Sequence, residues 1–197
     1  MSKSWDTAGN PYLAELVAKS LVAPPRTEYW RRYERAFQPN WFQERERCVR
    51  EYAWAIPCRE AVDAVAELSP LVEVGAGTGY WKMLLEQVGA VVDAFDKAPP
   101  VKQWSEVRKG DPRVLRSYPH ATLFLCWPLY DKPMASRCLK FYKGGCVAYI
   151  GEQNGGCCGD DKFHELLERD FEVVREVEIP QWYGIHDCLG IWRRKKE

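Results

Sequence analysis

The sequence predicts one α/β domain built on a mostly parallel central sheet, and three observations carry that prediction. Leu71, Val72 and Val74 form a short apolar run fit for a buried parallel strand, followed by alternate glycines and a stretch of helical character, Tyr80–Val88. Strand-like apolar runs then recur between helical stretches, at Ala90–Asp96, Ala121–Cys126 and Cys146–Ile150. The chain ends in two β-rich runs, Phe171–Ile179 and His186–Arg193, joined by a loop. At 197 residues a single core of this kind stands without staples.

Composition narrows the class. Lys+Arg and Asp+Glu both number 28, so net charge gives no push toward nucleic acid or membrane. No signal peptide precedes the first helix, and no apolar run approaches the roughly 18 residues needed to cross a bilayer. The eight cysteines form no Cys-x-x-Cys pair and several sit in apolar strands, which suits reduced thiols in a cytoplasmic protein. Adjacent Cys157 and Cys158 are the one alternative, a metal or redox pair; no metal site is expected.

Residues 1–53 read as a helical extension packed on the core, with the main domain spanning 54–197. Asn10-Pro11 opens a first helix, Asn as N-cap and Pro in the first turn, with Leu13, Leu16, Val17 and Leu21 as its apolar stripe. Tyr29, Tyr33 and Phe37 recur at four-residue spacing among Arg31, Arg32 and Arg35. That segment serves either as an amphipathic face packed on the sheet, the preferred reading, or as an RNA surface. A further helix carries Trp41, Arg45, Cys48, Val49 and Tyr52 on one side. Trp54–Pro57 is either a lid over a ligand or a turn anchored by tryptophan, and a helix with Ala61, Val62, Val65 and Leu68 inward leads into the first strand.

The centre of the chain is Glu73-Val-Gly75-Ala76-Gly77-Thr-Gly79. Alternate glycines after a strand permit a tight turn and remove the side chains that would hold a ligand off the backbone. The following strand ends on Asp96, 21 positions after Gly75, a spacing that suits a carboxylate accepting hydrogen bonds from a free ribose diol. The nicotinamide fingerprint Gly-x-Gly-x-x-Gly fits less well, because the third glycine comes one place early.

These two motifs resemble those of class I, Rossmann-like, S-adenosylmethionine-dependent methyltransferases, over roughly residues 57–193. The resemblance implies a Rossmann-like methyltransferase fold whose sheet ends in a C-terminal antiparallel strand pair. It implies S-adenosyl-L-methionine as cofactor, with S-adenosyl-L-homocysteine as product. Glu73, Gly75, Ala76, Gly77, Gly79, Asp96, Lys97, Asp111, Cys126 and Trp127 then become candidate cofactor-binding residues. Asp111, in Gly110-Asp111, would meet the adenine amino group; an Asx-turn before Pro112 is the alternative. The loop Cys126-Trp127-Pro128-Leu129 departs from the Asp/Asn-Pro-Pro-Tyr/Phe of nucleobase amino methyltransferases.

At the expected rim, His186, Asp131 and Glu152 are candidate catalytic groups, with Asp187 beside them. Trp127, Tyr130, Trp182 and Tyr183 are candidates for an aromatic wall around the substrate. The expected acceptor is a small molecule offering N, O or S, with no membrane partner. The rivals are an RNA methyltransferase, a nicotinamide-dependent dehydrogenase and a non-catalytic partner subunit with the same fold.

Overall fold

A computed structural model describes residues 6–21, 41–153 and 156–196. The basic-aromatic segment Tyr29–Phe37 lies outside them. Three helices precede the sheet: α1 (Pro11–Ala18), α2 (Trp41–Glu51) and α3 (Arg59–Ala66). Asn10 caps α1, its side chain accepting from Leu13 N at 3.1 Å, with Pro11 in the first turn. The stripe of α1 differs from the expected one: Tyr12, Leu13 and Leu16 are buried while Val17 is 41% exposed. Tyr12 displaces Val17 because its ring stacks on Tyr52 at 4.7 Å and its hydroxyl accepts from Trp182 Nε1 at 3.0 Å.

The sheet comprises β1 (Leu71–Val74), β2 (Val92–Asp96), β3 (Arg108–Lys109), β4 (Thr122–Cys126), β5 (Cys146–Gly151), β6 (Phe171–Glu178) and β7 (Cys188–Arg194), in the order β3-β2-β1-β4-β5-β7-β6. β1 pairs in parallel with β2 and β4, as do β2 with β3 and β4 with β5. β7 runs antiparallel between β5 and β6. The third strand is two residues long, and the run 104–107 that leads into it is not part of the sheet. Trp104 instead donates its backbone N–H to Thr78 O at 2.8 Å and stacks on Tyr52, which pulls that run off the sheet edge.

Helices α4 (Tyr80–Gln87), α5 (Met134–Phe141) and α6 (Asp161–Asp170) follow β1, β4 and β5, and a short 3-10 helix, Pro112–Ser117, follows β3. α4 buries Tyr80, Trp81, Leu84 and Leu85 on one face, and Trp81 meets Phe124 of β4 edge-on at 5.7 Å. The described part of the N-terminal extension shares this core: Tyr12, Leu16, Trp41 and Cys48 belong to the same apolar cluster as the strands. All eight cysteines are free, and the neighbours Cys157 and Cys158 divide between solvent and core. No helix among the described residues is long and apolar enough to cross a membrane.

Candidate active site

The strand order reverses between β1 and β4, and open α/β sheets take ligands beyond the strand C-termini at such a point. A cavity of about 740 Å³ lies there, floored by Gly75, Gly77 and Val74 and flanked by Asp96, Cys126 and Trp127. Two glycines of the loop do different work. At Gly77 (φ 52°) a Cβ would meet nothing within 4 Å among the described residues, so its bare backbone borders the cavity. At Gly79 (φ 74°) a Cβ would lie 2.6 Å from Ser105 O and 2.8 Å from Val107 Cγ2. There the missing side chain allows close packing on the segment before β3. The loop is pinned as well, with Gly75 N and Ala76 N both donating to Phe95 O.

Asp96 ends β2 with its carboxylate braced at both oxygens. Oδ2 accepts from Gly77 N at 3.0 Å and Oδ1 from Ala98 N at 2.8 Å. The bond to Gly77 ties the acidic tip directly to the bare turn and holds both against one cavity. Lys97 and Asp111 border the same space. Asp111 also caps the 3-10 helix and accepts from Arg113 at its backbone N and guanidinium, the latter at 2.6 Å. That guanidinium holds the carboxyl down at about 2. The turn before Pro112 is thus present, and the side chain still lines the cavity.

Trp127 follows β4 in the left-handed region, φ 52°, where a non-glycine residue costs about 1–3 kcal/mol unless its surroundings fix it. They do. Its backbone N donates to Ile150 O at 2.8 Å, its ring stacks on Trp54 at 5.3 Å, and Nε1 donates to Asp187 Oδ2 at 2.7 Å. The Arg45 guanidinium lies over the outer ring, that of Trp54, at 5.2 Å. Asp187 is 2% exposed, and its second oxygen has no hydrogen-bond partner among the described residues. Burial pushes this carboxyl up to about 7, against the Trp127 bond, and the Glu152 charge adds to the rise. Burial likewise lifts the Cys126 thiol well above its ordinary range, so it stays protonated beside the cavity.

No family model and no curated protein matches the sequence. Among solved structures, the magnesium protoporphyrin IX methyltransferase of Synechocystis PCC 6803 with bound S-adenosylmethionine superposes with a TM-score of 0.53 at 16% identity, over 84% of this chain and 89% of that one. The 1,6-didemethyltoxoflavin-N1-methyltransferase of Burkholderia thailandensis, with 1,6-didemethyltoxoflavin and S-adenosylhomocysteine bound, gives 0.50 at 18% identity over 88% and 93%. The chain has the Rossmann-like methyltransferase fold.

Within that fold the expected residues divide. Gly75, Gly77, Asp96, Lys97, Asp111, Cys126 and Trp127 line the cavity. Ala76 and Gly79 do not: Ala76 packs with Ala94 and Val107, and Gly79 faces Ser105. Glu73 is buried within β1, 2% exposed, and burial pushes its carboxyl up to about 8. It lies beneath the glycine loop rather than on the cavity wall.

None of the three expected catalytic residues, Asp131, Glu152 and His186, lines this cavity. Glu152 accepts from Cys157 N at 2.7 Å and His186 N at 2.9 Å, so its carboxylate joins two loops. His186 is exposed beside it, and Asp131 is exposed and paired with Lys132 at 3.0 Å. The aromatic wall reduces to Trp127 together with Trp54, the candidate lid residue. Trp182 is buried against Tyr12, Tyr130 is 61% exposed, and Tyr183 is 41% exposed with its ring against Trp41. The sequence reading passed over Met134 and Arg137 at the start of α5, and Arg113 and Lys132, all of which line the cavity. Helical spacing hides Met134 and Arg137, because it locates the buried face of α5 and not the end that borders the cavity.

Proposed function

We propose that this protein binds S-adenosylmethionine in the cavity beyond β1, β2 and β4 and transfers its methyl group to an N, O or S nucleophile. The single observation that carries this reading is the bond between Gly77 N and Asp96 Oδ2, which sets a bare turn and a strand-tip carboxylate on one cavity. The cavity volume is within the roughly 300–1,000 Å³ of small-ligand sites. The residues fit the cofactor: a Cβ at Gly77 would enter the space the ligand needs, and Asp96 presents a hydrogen-bond acceptor suited to ribose hydroxyls. Gly75, Gly77 and Asp96 would hold it, with Lys97 and Asp111 beyond the sugar and Cys126 and Trp127 on the remaining side.

When bound, S-adenosylmethionine supplies a sulfonium methyl group to the acceptor's lone pair and is left as S-adenosylhomocysteine. The chain's own contribution is positioning and exclusion of water. Oriented reactants gain roughly 7–11 kcal/mol of barrier reduction. The only carboxylates on the cavity wall among the described residues are Asp96 and Asp111, each already bound to a backbone N–H. Trp54 and Trp127 line it as a stacked pair, and aromatic rings attract cations by about 0.5–2 kcal/mol. An acceptor able to attack without a protein base suits such a site.

A small-molecule acceptor is the reading composition favours, and the two solved enzymes named above act on small molecules by their printed names. A nucleic-acid acceptor is the second reading, favoured by the cations Lys97, Arg113, Lys132 and Arg137 around the cavity. Crystals grown with S-adenosylhomocysteine test the site. Density for its ribose within hydrogen-bond reach of Asp96 supports it, and ligand bound elsewhere on the chain overturns it.

A further inference from the structure

A net charge of zero conceals an uneven distribution. The cavity beyond β1, β2 and β4 shares Lys97 and Arg113 with a more open hollow beside β3 that adds Lys109. It shares Arg137 with a second cavity of about 440 Å³ between α5 and α6, on which Lys140, Lys143, Lys162, Arg169 and Arg194 converge. These adjoining hollows gather ten of the chain's 28 Lys and Arg against three of its 28 Asp and Glu.

Four of the ten cations are neutralised locally: Arg113 by Asp111, Lys132 by Asp131, Lys162 by Glu165 and Arg169 by Asp170. The other six make no ion pair among the described residues. Arg194 is a fixed cation, its Nε donating to Gly144 O at 3.0 Å while the guanidinium lies over Phe171 at 4.4 Å. Solvated helix faces usually mix signs at one-turn spacing. α5 does not: from Lys132 to Gly151 the chain carries no acidic residue, and Arg137 and Lys140 stand one turn apart.

We propose that these neighbouring basic hollows, linked by shared lining residues, form a groove that binds the phosphodiester backbone of a nucleic acid and leads the strand to the cofactor cavity. Its physics is neutralisation of phosphates with release of counterions, which depends on charge and groove shape and not on base sequence. What happens to the strand at the cavity rests on the methyltransferase reading; the binding itself does not.

The test is fluorescence anisotropy with labelled RNA and DNA single strands of roughly 20 nucleotides, longer than a typical site for one small domain. Binding of either strand that weakens with salt supports the proposal, and the tighter one names the source. Lys140→Glu with Lys143→Glu is expected to cost tenfold or more in affinity and to flatten the plot of log K against log salt by about 1.4, two contacts' worth. Arg50→Glu with Lys102→Glu, two exposed cations off the groove, is expected to change little. Binding of S-adenosylhomocysteine, measured by calorimetry on the same variants, separates failure of the groove from failure of the cofactor site. Absence of strand binding at about 50 mM salt, an unaltered slope in the groove variant, or equal loss in the control variant overturns the proposal. So does tighter binding of phosphatidylserine vesicles than of either strand.

Discussion

The indole Nε1 of Trp127 donates to Oδ2 of Asp187 at 2.7 Å, joining the residue after β4 to the residue before β7. Sixty positions separate the two in the chain. The bond fixes a tryptophan in a left-handed backbone conformation at the cavity wall. Asp187→Ala leaves a buried N–H without its partner, so a loss of about 1–3 kcal/mol in urea unfolding is expected. Asp187→Asn keeps an acceptor and should lose less.

Burial holds Asp187 at about 7 and Glu73 at about 8, whereas carboxyls in the unfolded chain titrate near 4. Between those values the folded state binds more protons than the unfolded one, so stability falls as pH rises. The contribution of these groups is complete below about pH 4 and lost as pH passes about 7 and about 8. The unfolding free energy should therefore drop between about pH 5 and pH 9, by on the order of a few kcal/mol. The double variant Glu73→Gln, Asp187→Asn should flatten that slope; a slope equal to the parent's would refute the assignment.

Two glycines of the loop should fail in different ways. Gly79→Ala drives a Cβ against Ser105 O and should lower the melting temperature sharply. Gly77→Val meets no atom of the described residues within 4 Å at its Cβ and costs chiefly its left-handed backbone, about 1–2 kcal/mol. It should nevertheless abolish S-adenosylhomocysteine binding. Melting curves run beside calorimetry separate the two effects.

Asp96→Ala removes the acceptor for Gly77 N and Ala98 N as well as for a ribose. Cofactor affinity should fall by about 1.5–3 kcal/mol, the scale of a hydrogen bond to a charged group. Affinity within twofold of the parent would place the sugar elsewhere.

What the sequence made legible is what local pattern dictates. The apolar run Leu71–Val74, the glycines after it and Asp96 at the next strand tip are short-range signals, and the structure puts that loop and tip on one cavity. Apolar and β-rich runs likewise announced β4, β5 and the terminal pair. The assignments that moved depend on partners far along the chain. Trp182 turns inward to meet Tyr12, 170 residues away, and no spacing near Trp182 records it. Glu152 looks like a free acid at a strand end until two loop N–H groups claim it. Net charge misleads for the same reason, because a sum over the chain carries no information about which face holds the cations.

Calorimetric titration with S-adenosylhomocysteine, and separately with NAD, tests the cofactor site most directly. Saturable binding of the homocysteine compound at one per chain, abolished by Gly77→Val and with little or no heat from NAD, is the expected result. Tighter binding of NAD, or undiminished S-adenosylhomocysteine binding in the Gly77 variant, would contradict it.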